Sequence, residues 1–230
     1  MRLWKKKNNN YYLKKGIDPK KDQSYVLWGI PKETLKRTIF PIGDLTKEQV
    51  RKIAKENDLA TATSPESMEI CFVTDNNYKN FLSNYNPRKM SSIKEGDIIE
   101  NEKKVGTHPG YINYTVGQRK GLNLSNPEPR YVSKIDSKNN TITVGKKHSI
   151  YKKECYVDQL NLLVNDLQLP IKINAKIRYN TFGGIATLSR EKDKYKLSFD
   201  EPQLAITPGQ SAVFYDNETV LGGGIIELFK

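Results

Sequence analysis

The amino-acid sequence predicts an α+β protein whose C-terminal half is a small β-barrel or β-sandwich. Three observations support this fold class. Residues 46–57 carry a helix start signal followed by apolar residues at helical spacing. Residues 96–106, GDIIENEKKVG, are typical of two short strands around a polar turn. From Arg130 onward, β-branched and alternating segments recur at short intervals, as in small all-β domains.

The N-terminal part is predicted to be helical. The stretch KDQSYVLWGI at residues 21–30 precedes Pro31, which can occupy the first position of a second helix, PKETLKR. Thr46 can cap a third helix, and Gln49 completes a capping box. The residues that share the apolar face of this helix are Val50, Ile53 and Ala54.

We predict three domains, at residues 1–70, 71–125 and 126–230. The middle domain is a small α+β unit, with a helix in DNNYKNFLSNY behind a cap at Asp75. It ends near Leu124, before the polar, proline-containing segment SNPEPR. The strands expected in the last domain are RYVSKID, NTITVGK, IKINAKIRY, GGIATLS, KYKLSFD, SAVFY and TVLGGGII.

The charge of the chain indicates a polyanionic partner. Lys and Arg number 38 against 26 Asp and Glu, which gives a formal net charge of +12. Such an excess favours RNA or DNA as the partner. A lysine-rich proteome is the alternative, because many of these lysines stand beside asparagines.

The two cysteines and two histidines point to a cytoplasmic protein without a metal centre. Cys71 and Cys155 are far apart and form no metal-ligand spacing with His108 or His148. A disulfide scaffold is not expected, so a reducing compartment is the default. The start, MRLWKKKNNN, lacks the apolar region of a secretory signal, and no apolar run reaches membrane-spanning length.

Cys71 lies in PESMEICFVT, and its residue type alone leaves two interpretations open. Cysteine is usually buried, and apolar neighbours raise the pKa of its thiol, which favours an inert core residue. The alternative is a nucleophile. We expect Cys155, in KKECYVDQL within the β region, to be structural.

A second candidate stretch is HPGYINYTVGQRKGL, residues 108–122. Two glycines bracket Gln118, Arg119 and Lys120, and a turn that presents Arg and Lys beside Tyr114 suits RNA contacts. The alternative is a glycine-rich connection with solvated charges. His108 is expected to be a hydrogen-bonding loop residue rather than a ligand.

The glycine run at residues 222–224 lacks the strand–loop–helix context of a phosphate loop, so a β-bulge is the preferred interpretation. The KDQSY stretch, taken alone, is most simply an N-terminal turn.

Five stretches, in this order, resemble the tRNA-specific 2-thiouridylases, also called tRNA-uridine 2-sulfurtransferases. They are GIDPKKDQSYVLWGI, FPIGDLTKEQVRKIA, ESMEICFV, HPGYINYTVGQRKGL and DEPQLAITPGQSAVFYDNETVLGGGII. The resemblance implies that sulfur replaces the C2 oxygen of wobble uridine 34 in tRNA after ATP has adenylated that oxygen. It also implies a sulfur-relay protein or cysteine desulfurase as the sulfur donor.

The resemblance implies a role for individual residues. Cys71 corresponds to the cysteine that carries the persulfide, and a second cysteine of the family can form a disulfide with it. The residues implied to contact tRNA are Lys21, Asp22, Gln23, Arg178, Tyr179 and Gln210. Arg119 and Lys120 stay candidates for RNA contact from their own loop pattern.

The chain departs from the family pattern in one respect. The family's SGGxDSS-type ATP loop and its first catalytic cysteine do not occur in these 230 residues. The resemblance therefore implies that residues 1–70 are the helical end of an α/β ATP-pyrophosphatase-like domain. We expect the chain alone to be an incomplete enzyme without the ATP site. The alternative is a non-catalytic tRNA-binding module or a subunit of a split enzyme.

Overall fold

The computed structural model describes residues 1–5, 10–64, 73 and 77–227. The chain forms two compact units, Met1–Ser64 with Lys152–Lys230, and Pro65–Tyr151. The fold is α+β, as predicted, with short helices and a closed six-stranded β-barrel. No helix of the described residues is long and apolar enough to cross a membrane.

The barrel belongs to the first unit. Its strands are β7 (Tyr151–Leu162), β8 (Ile171–Lys176), β9 (Gly184–Glu191), β10 (Lys194–Leu204), β11 (Ser211–Asp216) and β12 (Thr219–Glu227). They pair in the order β12–β11–β8–β9–β10–β7, and β7 pairs again with β12 to close the sheet. Closure removes the exposed edges that an open sheet would have. The structure therefore selects the barrel over the sandwich.

The barrel interior is filled by alternate side chains of its strands, as the two-residue period of a strand requires. In β8 the buried residues are Ile173 and Ala175, and in β9 they are Ala186 and Leu188. The same core contains Phe199, Phe214 and Ile226 from other strands.

The glycine run at 222–224 lies within β12 and allows close approach of neighbouring strands. A Cβ on Gly222 (φ +150°) would collide with the carbonyl of Asn161. A Cβ on Gly223 would lie 2.7 Å from the Ala212 carbonyl oxygen. The pairing of β12 with β7 shifts register between Gly223 and Ile225, which agrees with the predicted bulge.

The N-terminal segment differs from the helical prediction because it joins the barrel sheet. Strands β1 (Arg2–Lys5) and β2 (Tyr11–Lys14) form an antiparallel hairpin, and β2 pairs with β12. The expected first two helices are short 3₁₀ segments, Ser24–Leu27 and Lys32–Arg37, and Pro31 precedes the second as its cap. Leu13 and Leu35 are fully buried in a second core beside Tyr215. Long-range pairing thus overrides the local pattern.

Helix α1 (Lys47–Glu56) begins as predicted. Thr46 Oγ1 accepts from the Gln49 backbone N–H at 3.2 Å, and Gln49 Oε1 accepts from the Thr46 N–H at 2.7 Å. The capping box is therefore complete. None of the residues of α1 is buried, and Ile53 is 45% exposed.

The second unit contains a four-stranded sheet in the order β4–β3–β6–β5. Its strands are β3 (Gly96–Glu100), β4 (Lys103–His108), β5 (Tyr131–Asp136) and β6 (Thr141–Gly145). The sheet therefore spans the boundary placed from sequence between residues 125 and 126. The segment SNPEPR has the composition of a domain linker, but here it is a loop between two strands of one sheet. Strands β5 and β6 consequently do not belong to the barrel.

Two helices precede this sheet, α2 (Tyr78–Tyr85) and α3 (Pro87–Ser91). The cap of α2 is Asn77, whose Oδ1 accepts from the Asn80 N–H at 3.2 Å. The cap predicted from sequence, Asp75, lies outside the described residues. Helix α3 was not anticipated, although a proline at its start is favourable.

Candidate nucleic-acid interface

Two loops of the first unit face each other across a groove of about 660 Å³. One loop is residues 15–22, between β2 and the first 3₁₀ segment. The other is residues 177–182, between β8 and β9, together with Lys176 at the end of β8. We call this space the barrel groove. Asp22 of the sequence-predicted KDQ stretch and Tyr179, also predicted from the sequence, thus line opposite walls of the same groove.

The first wall is organised by Asp22. Its Oδ1 accepts from the backbone N–H groups of Gly16 at 2.8 Å and Ser24 at 3.2 Å, and its Oδ2 accepts from Ser24 Oγ at 2.7 Å. Ser24 is fully buried, and its hydroxyl lies 3.2 Å from the Tyr215 hydroxyl. The carboxylate therefore shapes the loop, while Lys21 and Gln23 on either side are exposed.

The two walls meet at a pair of tyrosines. The rings of Tyr25 and Tyr179 contact edge to face, with centroids 6.1 Å apart. Lys176 Nζ lies 5.7 Å from the Tyr25 centroid and 5.8 Å from that of Tyr179, within cation–π range. Burial lowers the pKa of the Lys176 ammonium, and the Asp22 carboxylate opposes that shift. Lys176 therefore contacts both tyrosine rings with a single cation.

The Arg178 side chain forms hydrogen bonds within the protein rather than being fully exposed to solvent. Its Nη2 donates to the Ala205 carbonyl and to Thr207 Oγ1, both at 2.9 Å. The Thr207 carbonyl in turn accepts from the Gln210 N–H at 3.2 Å, and the Gln210 residue is exposed. Arg178 therefore holds the turn from which Gln210 projects.

Tyr25 connects the remaining predicted positions. Its hydroxyl donates to the Ser211 carbonyl at 2.8 Å, directly after Gln210, while its ring contacts Tyr179. Burial raises the pKa of Tyr25, so it is a neutral donor at ordinary pH. The structure thus brings the six sequence-predicted tRNA positions of the first unit onto one connected region.

Sequence reasoning missed three side chains of this region, namely Tyr25, Lys176 and Phe182. Tyr25 ends the recognised KDQSY stretch and Lys176 lies two residues before Arg178, and neither had a distinguishing pattern of its own. Phe182 resembles an ordinary strand-flanking aromatic in sequence, but its side chain is 98% exposed.

Arg119 and Lys120 lie in the second unit, on a turn held by hydrogen bonds of the Gln118 side chain. Gln118 Oε1 accepts from the Thr115 N–H at 3.0 Å, and its Nε2 donates to the Lys120 carbonyl at 2.9 Å. Gly117 and Gly121 both have positive φ, which glycine adopts without strain. The turn presents both cations to solvent, as its pattern predicted. Their contact with RNA stays a prediction.

His108 is a buried hydrogen-bonding residue at the end of β4. Its Nδ1 accepts from the Gly110 N–H at 3.1 Å, and its ring contacts Tyr114 edge to face. Burial lowers the pKa of His108, although carboxylates at Asp97 and Glu95 oppose this. Among the described residues, no group of three or more His, Cys, Asp or Glu is arranged to hold a metal ion.

Only one of the two cysteines lies in the described part of the chain. Cys155 is fully buried in β7, and burial raises the pKa of its thiol to about 12. It is therefore not a thiolate at neutral pH, which agrees with the structural role expected for it. Cys71, the residue implied to carry the persulfide, lies outside the described residues.

Three family models match successive parts of the chain. They are described as a tRNA methyl transferase HUP domain at residues 1–75, a tRNA methyl transferase PRC-barrel domain at 79–146, and an aminomethyltransferase beta-barrel domain at 152–226. The last two ranges fall within the second unit and the barrel, respectively.

Curated relatives match over nearly all of the chain. It is 44% identical to the tRNA-specific 2-thiouridylase MnmA of Acetivibrio thermocellus, over 94% of this chain and 60% of the relative. It is 43% identical to the proteins of the same name from Clostridioides difficile and Carboxydothermus hydrogenoformans, over 94% and 98% of this chain and 60% and 62% of those relatives. The chain thus spans about three fifths of the length of the relatives it matches, and it belongs to the tRNA-specific 2-thiouridylase family.

Proposed function

We propose that this chain supplies the tRNA-binding and sulfur-carrying parts of an enzyme that converts uridine 34 of tRNA to 2-thiouridine. The observation that carries the proposal is the barrel groove, where Asp22 and Tyr179 line opposite walls and Lys176 lies within cation–π range of Tyr25 and Tyr179. Cations with aromatic faces suit an RNA backbone and unstacked bases. The net charge of +12 and the similarity to 2-thiouridylases support the same assignment.

In and around the groove, the predicted residues divide into two roles. Lys21, Gln23, Tyr179 and Gln210 are exposed and are assigned to direct contact with tRNA. Asp22 and Arg178 donate or accept hydrogen bonds within the protein and are assigned to positioning those neighbours. A target base must leave its stack to be modified, which single-stranded tRNA loops allow at low cost.

The sulfur transfer is assigned to Cys71. ATP first adenylates the C2 oxygen of uridine and releases pyrophosphate. The terminal sulfur of the Cys71 persulfide then bonds to C2, and AMP leaves with the former oxygen. The family's other catalytic cysteine, which does not occur in these 230 residues, then attacks Cys71 Sγ. This attack breaks the bond between Cys71 Sγ and the terminal sulfur, so that the sulfur stays on C2. It also forms a disulfide that a reductant must reopen. A sulfur-relay protein or cysteine desulfurase restores the persulfide.

The ATP site is assigned to residues outside this chain. Phosphate binding commonly uses glycine-rich backbone that faces a ligand. The glycines at 222–224 instead face the backbone of neighbouring barrel strands, so they do not fit this role. The residues of this chain are therefore assigned to binding, orienting and sulfurating the tRNA rather than activating it.

The test is a pair of cysteine substitutions in the full-length enzyme. Cys71→Ser is expected to abolish 2-thiouridine at position 34, measured by mass spectrometry of tRNA nucleosides. Cys155→Ser is the matched control and is expected to leave the modification intact, because Cys155 is buried and its thiol pKa is near 12. Normal thiolation in the Cys71→Ser strain would refute the assignment.

A second candidate function is a tRNA-binding module or a subunit of a split enzyme, without catalysis by this chain alone. The net charge of +12 and the barrel groove support it equally, because both concern tRNA binding and neither requires catalysis by this chain. The discriminating measurement is the mass of the native product in the cell. A product much heavier than 26.4 kDa, the mass of these 230 residues, would favour a single-chain enzyme.

A further inference from the structure

Phe182 occupies an unusual position for a large apolar side chain. It lies at the rim of the barrel groove and is 98% exposed. Exposure of an aromatic ring forgoes the favourable burial that such residues normally obtain. Tyr179, three residues earlier on the same loop, is 42% exposed. Two aromatic faces therefore stand open on one wall of the groove.

The loop that carries Phe182 is fixed by internal contacts. Thr181 Oγ1 and the Thr181 N–H both donate to the Arg178 carbonyl, at 2.9 and 3.3 Å. Gly183 follows at φ +83°, and a Cβ there would collide with Asn174. The ring is thus attached to a constrained turn, so presenting it to a ligand costs little conformational entropy.

The charge of the groove favours an anionic ligand. Lys15, Lys20 and Lys176 line it, together with two carboxylates. Both carboxylates are engaged within the protein, because Asp22 accepts from its own loop and Glu218 pairs with Arg2 at 2.7 Å. The balance exposed to a ligand is therefore positive.

We propose that Phe182 is a stacking platform for an unpaired nucleobase of the tRNA that lies in the barrel groove. The inference rests on the proposed function, and it adds a base contact to a site otherwise described by charged and polar residues. A π face beside lysines fits single-stranded RNA, since the cations neutralise phosphates while the ring stacks on a base. If the groove bound RNA through charge alone, an exposed phenyl ring would add nothing to the affinity.

The test measures binding of the 230-residue chain to an unmodified transcript of a tRNA that contains uridine 34, over a series of KCl concentrations. Phe182→Ala is expected to weaken binding about tenfold at every salt concentration, within the range for loss of one base stack. The slope of log affinity against log salt stays unchanged, because no ionic contact is lost. Lys20→Gln instead reduces the slope by about 0.7–0.9, the value for one phosphate contact.

Two further variants separate stacking from general apolar contact. Phe182→Trp is expected to retain the affinity of the wild type, whereas Phe182→Leu is expected to bind as weakly as Phe182→Ala. Ile39→Ala is the matched control, because Ile39 is 82% exposed and does not line the groove. Its affinity is expected to equal that of the wild type.

The outcomes distinguish this proposal from the function on which it rests. Salt-dependent binding by the wild type with unchanged affinity in Phe182→Ala or Phe182→Leu would overturn the stacking role alone. A wild-type chain that does not bind the transcript would overturn the tRNA-binding function and the stacking role together.

Discussion

Substitution of Asp22 tests whether this residue positions the groove or contacts tRNA itself. Its carboxylate is about 9% exposed and accepts three hydrogen bonds from Gly16 and Ser24. Asp22→Ala leaves both backbone N–H groups without this acceptor, and each lost hydrogen bond lowers the free energy of unfolding by about 1–1.5 kcal/mol. Ser24 Oγ keeps its contact with the Tyr215 hydroxyl, so losing its bond to Asp22 lowers the stability by less. We expect a total destabilisation of about 2–3 kcal/mol.

Asp22→Asn is the informative partner of this variant. The asparagine Oδ1 can still accept from both backbone N–H groups, and its Nδ2 can donate to Ser24 Oγ. Ser24 would then donate to Tyr215. We expect a loss of about 1 kcal/mol or less and a tRNA affinity close to that of the wild type. If the carboxylate contacted tRNA directly, both variants would instead change the affinity for tRNA by a similar amount.

The assay is urea denaturation followed by circular dichroism, with the free energy of unfolding extrapolated to water. A thermal scan should show Asp22→Ala melting about 5–10 °C below the wild type. Asp44→Ala is the control, because Asp44 is 79% exposed and lies 3.8 Å from Arg2 Nε. We expect it to change stability by less than about 0.5 kcal/mol. Stability of Asp22→Ala within that margin, or equal effects of Asn and Ala, would refute the positioning role.

Two further predictions concern packing and pH. Gly223→Ala should destabilise the barrel by about 1–3 kcal/mol in urea denaturation, because its Cβ would lie 2.7 Å from the Ala212 carbonyl and 2.8 Å from Trp28. Gly29→Ala is its control, since nothing lies within 4 Å of a Cβ there, and equal losses would contradict the packing argument. Burial lowers the pKa of His108 below its ordinary value of about 6.5. Stability should therefore fall as the pH drops from about 6.5 through that lowered pKa, because the unfolded state binds the proton more readily. His108→Gln should flatten this dependence in urea denaturation, and an unchanged pH profile would contradict the assignment.

Local sequence patterns predicted the elements whose signals are contained within a few residues. The Thr46–Gln49 capping box fixed the start of α1, and the GDIIENEKKVG stretch gave β3 and β4. Most barrel strands were likewise predicted, because alternation and turn residues are local properties. The α+β class followed from these elements together.

Pairings between distant residues were not predictable in the same way. The partner of β2 is β12, about 200 residues later in the chain, and no local pattern in either strand predicts this pairing. Strand β3 pairs in parallel with β6 across the SNPEPR segment, so a linker-like composition concealed a continuous sheet.

For the candidate site, the order of motifs that resemble the 2-thiouridylases was enough to identify the candidate stretches. Their arrangement in space depends on the tertiary structure. It placed Asp22 and Tyr179 across one groove, gave Asp22 and Arg178 hydrogen-bond partners within the protein, and left Phe182 exposed to solvent. The physical reason is that a side chain's exposure and partners depend on residues brought together by barrel closure, which no local pattern encodes.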